Sequence, residues 1–82
     1  MELLREVLSK NLTVIRKNHG FTQADLSDRL GVTASTYNQW EIGVTWPTSS
    51  NLERLAEIYN VRSTSFFLDN SDTPNSEKFK DH

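Results

Sequence analysis

The sequence predicts an all-α chain folded as a compact bundle of five helices, and three observations predict it. Apolar residues recur at three- and four-residue intervals from Leu4 to Tyr59. Thr22, Thr33 and Thr48 stand where a helix would need a side-chain oxygen to take its orphan N–H groups. Gly20, Gly31 and Gly43 each follow a helical stretch, where a left-handed residue ends a helix at least cost.

Taken in order, the first helix spans about Glu2 to Asn18. Leu4, Leu8, Leu12 and Ile15 form its inner stripe, and Leu3, Val7 and Val14 widen it. Phe21 stands just before the Thr22 cap, and Asp25 three residues on favours a helix start there. The second helix covers about Gln23 to Leu30, with Leu26 and Leu30 inward and Ala24 and Ser27 as small packing residues. Thr33 caps the third, about Ala34 to Ile42, with Tyr37, Trp40 and Glu41 turned to the body. Val44 to Pro47 is a loop. The fourth helix runs from about Ser49 to Tyr59 on Leu52, Leu55, Ala56 and Tyr59, and Asn60 takes the left-handed stop. A short fifth helix opens at Arg62 or Ser63 and ends at Leu68. Phe66 and Phe67 are adjacent in it, so only one of them is expected to face inward.

The domain is therefore expected over 1–68. From Asp69 the composition turns polar, and 69–82 reads as a flexible tail or linker.

Composition excludes several classes. The chain has 82 residues, no cysteine and two histidines, His19 and His82. That leaves neither a disulfide framework nor a spaced ligand pair for a metal. No run nears the ~20 apolar residues of a membrane span, and MELLREVLSK lacks a signal-peptide core, so a cytoplasmic location is expected. No nucleophile–base arrangement and no glycine-rich phosphate loop appear, so no enzyme and no cofactor are expected. Glu53 and Glu57, one turn apart, read as solvated charges. Net charge is −2, and all of the deficit lies from Asp69 onward. A neutral body is unusual for a nucleic-acid binder, because Lys/Arg–phosphate contacts supply most non-specific affinity.

The stretch from Thr22 to Gly43, TQADLSDRLGVTASTYNQWEIG, carries the functional signal. Two short helices joined at a glycine form a helix-turn-helix. Ser27 is small where helices approach, Gly31 suits a positive φ, and Val32 fills the angle between them. With Ile15-Arg16, Gly20-Phe21-Thr22-Gln23, Leu30-Gly31-Val32-Thr33, Tyr37, Trp40-Glu41, Gly43, Pro47, Leu52, Leu55-Ala56 and Val61, this spacing resembles the phage Cro/repressor helix-turn-helix family of XRE-like regulators. The resemblance spans about Leu8 to Leu68.

The resemblance implies a lambda-repressor-like bundle. It also implies a homodimer on a pseudo-palindromic operator in double-stranded DNA, and a regulator of transcription, more often a repressor. It places the third helix in the major groove, with Ala34, Ser35, Asn38 and Gln39 at base-contacting positions. Gln39 suits a bidentate pair with adenine, Asn38 the same or a phosphate, Ser35 either kind of edge, and Ala34 a thymine methyl. Gln23, Thr33, Lys17 and Thr45 are placed at phosphates. Arg16 and Glu41 match a structural ion pair. Phe66, Phe67 and Leu68 are candidates for the dimer surface. Where many members follow Glu41 with Asn or Lys and a basic loop, this chain has Ile42, Val44 and Trp46. That substitution motivates a rival reading: a protein-interaction module or antitoxin with weak or no DNA binding of its own.

Overall fold

The computed structural model describes residues 3–68. The element order is α1 (Leu4–Asn18), α2 (Gln23–Leu30), α3 (Ala34–Glu41), α4 (Ser49–Tyr59) and a 3-10 helix over Ser63–Phe67. No strand occurs among the described residues. The tail expected over 69–82 lies outside them, as does the expected start of the first helix at Glu2.

Local chemistry sets the helix ends. Thr22 and Asp25 form a reciprocal capping box: Asp25 N–H donates to Thr22 Oγ1 at 3.0 Å, and Thr22 N–H donates to the Asp25 carboxylate at 2.8 Å. Thr33 accepts from Thr36 N–H at 3.0 Å and Thr48 from Asn51 N–H at 3.1 Å. Gly31, at φ 73°, closes α2, and Asn60, at φ 58°, closes α4. Arg54 then donates to the carbonyls of Leu30 and Arg29 at 3.0 and 2.9 Å. A cation thus sits at the negative end of the α2 dipole.

α1 packs on α3 and on the 3-10 segment, while α2 packs on α3 and α4. The shared core holds Leu8, Leu12, Ile15, Leu26, Leu30, Tyr37, Trp40, Leu55, Ala56, Tyr59 and Phe66. Each fully buried Leu or Ile contributes about 1.5–3 kcal/mol of transfer free energy. Ser27 is buried, and its hydroxyl donates back to the Ala24 carbonyl at 3.0 Å.

Three expectations are corrected. Among the described residues there are four α-helices, not five: the fifth element is a 3-10 helix of five residues, a length at which i→i+3 bonding suffices. Its position is dictated from α1, where the buried Asn11 Nδ2 donates to the carbonyls of Phe66 at 2.8 Å and Leu68 at 2.7 Å. Leu3, Leu4 and Val14 lie outside the core, 47–57% exposed. At 15 residues α1 is about 22 Å long and outreaches the eight-residue α2 and α3. Ala24 is exposed rather than packed.

Candidate nucleic-acid interface

α3 has two unlike faces. Tyr37 and Trp40 point into the core with rings 5.4 Å apart, edge to face. On the other face Ala34 and Ser35 are exposed, and Asn38 and Gln39 are half-buried. The first turn of α3 carries no acidic residue, so no side-chain charge there opposes the positive end of its dipole.

Beneath this face lies the Arg16–Glu41 pair. Nε of Arg16 is 2.7 Å from Oε2 and Nη2 is 3.1 Å from Oε1, a two-pronged contact with side chains only 12% and 4% exposed. Arg16 also donates to the Phe21 carbonyl at 2.9 Å, which ties the α1–α2 turn to α3. Glu41 accepts further bonds from Tyr37 at 2.6 Å and Gln23 at 2.9 Å. Burial pushes the Glu41 carboxyl up, but the bonds from Arg16, Tyr37 and Gln23 outweigh it, leaving it below the usual carboxylate range. The bond to Glu41 holds the Arg16 guanidinium above its ordinary value, against desolvation. Burial, then the Glu41 bond, pushes the Tyr37 phenol up.

The remaining site residues fall into place around this pair. Gln23 directs its side-chain amide inward, with Nε2 donating to Asn38 Oδ1 at 3.1 Å as well as to Glu41. Thr33 is exposed at the α3 cap, its Oγ1 bonded to Thr36. Lys17 is exposed in the last turn of α1. Thr45 is exposed, and its hydroxyl donates to Gln39 Oε1 at 3.5 Å, the outer limit of a bond. The structure thus joins Gln23 to Asn38 and Thr45 to Gln39. The Gln23 bonds reach partners 15 and 18 residues away, and no periodicity in the sequence signals them.

The candidate dimer residues separate. Phe66 is fully buried in the core, which removes it from any surface. Phe67 is half-buried and stacks on Trp46, with ring centroids 6.4 Å apart, and Leu68 is 41% exposed. Trp46 therefore packs against the 3-10 segment. Ile42 and Val44 beside it are 61% and 59% exposed.

Among the described residues no cluster of His, Cys, Asp or Glu is built to hold a metal ion. No described helix is long and apolar enough to cross a membrane.

Comparison with known proteins agrees with this architecture. The family model described as Helix-turn-helix matches residues 14–66. The chain is 34% identical over 62 residues to the SPbeta prophage-derived uncharacterized HTH-type transcriptional regulator YonR of Bacillus subtilis, covering 76% of this chain and 56% of that protein. It is 33% identical over 55 residues to the uncharacterized HTH-type transcriptional regulator YqaE of the same organism, covering 67% and 47%. The chain thus spans about half the length of the curated relatives it matches. No solved structure matches it significantly. On the family match and on both relatives, the chain belongs to the helix-turn-helix family of XRE-like, Cro/repressor-type regulators.

Proposed function

We propose that this chain binds double-stranded DNA in a sequence-specific way and regulates transcription, most simply as a repressor, with α3 lying in the major groove. One observation carries the proposal. The polar edge of α3 faces away from the core while the buried Arg16–Glu41 pair fixes its pose from behind. The groove admits a helix and shows a distinct donor–acceptor pattern for each base pair. Ala34, Ser35, Asn38 and Gln39 then contact bases. Thr33, Lys17 and Thr45 contact phosphates, joined by the main-chain amide of Gln23 at the start of α2. No cofactor takes part, and the protein works in the cytoplasm.

The same reading makes the protein a homodimer on a pseudo-palindromic operator, with its two α3 helices about 34 Å apart. Phe67 and Leu68, next to Trp46, are the residues proposed for the contact, because they leave apolar surface uncovered beside the bundle. Selection of bound sites from random duplexes tests binding, symmetry and spacing together. Enrichment of a two-fold symmetric site is expected, and no enrichment at about 50 mM salt overturns the proposal.

One observation favours a second reading. Ile42, Val44 and Trp46, each at least 47% exposed, stand beyond the end of α3 where a basic clamp would hold the DNA backbone. They suit a protein partner, as in an antitoxin or an interaction module. A salt titration of DNA binding separates the two, since a chain of that kind binds no duplex even at low salt.

A further inference from the structure

We infer that this chain grips its operator almost without ion pairs, through an apolar loop against the sugar edges, so that a fitting sequence binds it and arbitrary duplex barely does. The inference rests on the DNA-reading function proposed above and adds how that site holds the backbone.

Most cations of the fold are committed elsewhere. Arg16 is held against the buried Glu41. Arg54 gives both terminal nitrogens to the carbonyl end of α2. Arg29 lies over the Phe21 ring, 4.9 Å from its centre, on the side of α2 where Phe21 meets Tyr59. Arg62 lines a surface groove with Glu53 and Glu57, between α4 and the 3-10 segment. Arg5 stands at the far end of α1, about 18 Å along the axis from Lys17. Lys17 is exposed at the end of α1 that leads into α2, where a phosphate is proposed. Lys10, also exposed, shares that face of α1 two turns earlier. One half-site therefore meets one or two cations among the described residues. Asp25 and Asp28, both exposed on α2, oppose them.

The loop after α3 adds no charge. The N–H groups of Val44 and Thr45 donate to the Gln39 carbonyl at 2.9 and 3.4 Å, which folds the loop back on the end of α3, beside a proposed base reader. Ile42 and Val44 are exposed there, and Trp46 stacks on Phe67 with nearly half its surface open. Next to a groove wall these side chains meet deoxyribose, not phosphate. The two kinds of contact differ in what they demand. Every duplex carries the same phosphates, so ion pairs form on any sequence and supply nearly all non-specific affinity. Apolar contact acts only at van der Waals distance, so the loop meets the sugars only when α3 is fully seated on a fitting site. Scarce charge therefore weakens binding to arbitrary DNA more than binding to the operator, and the ratio between the two widens.

Salt titration of the full chain on a selected operator, and on a scrambled duplex of the same length, tests this. With one or two phosphate cations in each protomer of a dimer, operator affinity is expected to fall about 10- to 150-fold between about 50 and 200 mM salt. A fall of about a thousandfold or more, as six to ten phosphate contacts would give, overturns the inference. So does scrambled duplex bound more tightly than about 10⁻⁴ M at physiological salt. Val44→Lys puts a charge on the loop. It is expected to steepen the slope of log K against log salt by about 1.8 in the dimer and to raise affinity for scrambled duplex about tenfold or more. An unchanged slope places the loop away from the backbone and overturns the inference as well. Lys17→Gln is expected to flatten the slope by about the same amount. Both side chains are exposed, so the fold is expected to keep its melting temperature in either variant. If the wild type binds no duplex even at low salt, the DNA-binding proposal itself has failed, which is a distinct result, and the inference falls with it.

Discussion

Arg16 of α1 and Glu41 of α3, 25 residues apart in sequence, meet through two hydrogen bonds of 2.7 and 3.1 Å with little solvent access. Glu41 is also bound by Tyr37 and Gln23, so four hydrogen bonds from three side chains converge on one carboxylate. Removing one partner leaves the other buried without its counter-charge. Arg16→Ala is expected to lower unfolding free energy by about 3–5 kcal/mol. Urea unfolding of the wild type and the variant measures it, and a loss under ~1 kcal/mol would show that water reaches the carboxylate.

The same carboxylate makes stability depend on pH. The Glu41 pKa lies lower in the folded chain than in the unfolded one. Its contribution is therefore present above the unfolded value, near ~4.3, and is lost as pH falls through the folded value. Thermal melts from neutral pH into acid should show the wild type losing Tm below about pH 4. Glu41→Gln should start lower and fall less steeply. Asp25 is held low by its bonds from Thr22 in both proteins and so cancels in the comparison.

Asn11 holds the 3-10 segment by two carbonyls. Asn11→Ala leaves the buried Phe66 carbonyl unpaired and is expected to cost about 1–3 kcal/mol. Hydrogen exchange should quicken at the amides of Ser65 and Leu68, which bond within that segment. Unchanged exchange there would mean that the Phe66 ring alone anchors it.

The Tyr59 hydroxyl is buried and has no partner among the described residues, and its phenol is pushed up by burial. Its ring packs on His19, Phe21 and Phe66. Tyr59→Phe keeps the ring and removes the orphan group, so unfolding free energy should hold or rise by up to about 1 kcal/mol. A clear drop in calorimetric Tm would reveal a bound water as the missing partner.

Gln39→Ala is expected to weaken binding to the selected operator by about 1–3 kcal/mol and to relax preference at one base position. Titration against a panel of single-base variants checks it. Equal loss on every duplex would assign Gln39 to the backbone instead of a base.

The sequence by itself determined the helices and their ends. Thr22, Thr33, Thr48, Gly31 and Asn60 act on groups a few residues away, so composition and spacing suffice to place them. It also determined the inward stripes of α2, α3 and α4 and, through the family pattern, the outward edge of α3. Only the tertiary structure decided which of Phe66 and Phe67 enters the core. It likewise decided that Asn11 grips the last segment 55 residues on, and that Gln23 turns inward to Glu41 and Asn38 rather than outward. Those outcomes depend on long-range approach between helices, where a buried donor or acceptor must find a partner wherever packing brings one. Local periodicity holds no record of that meeting.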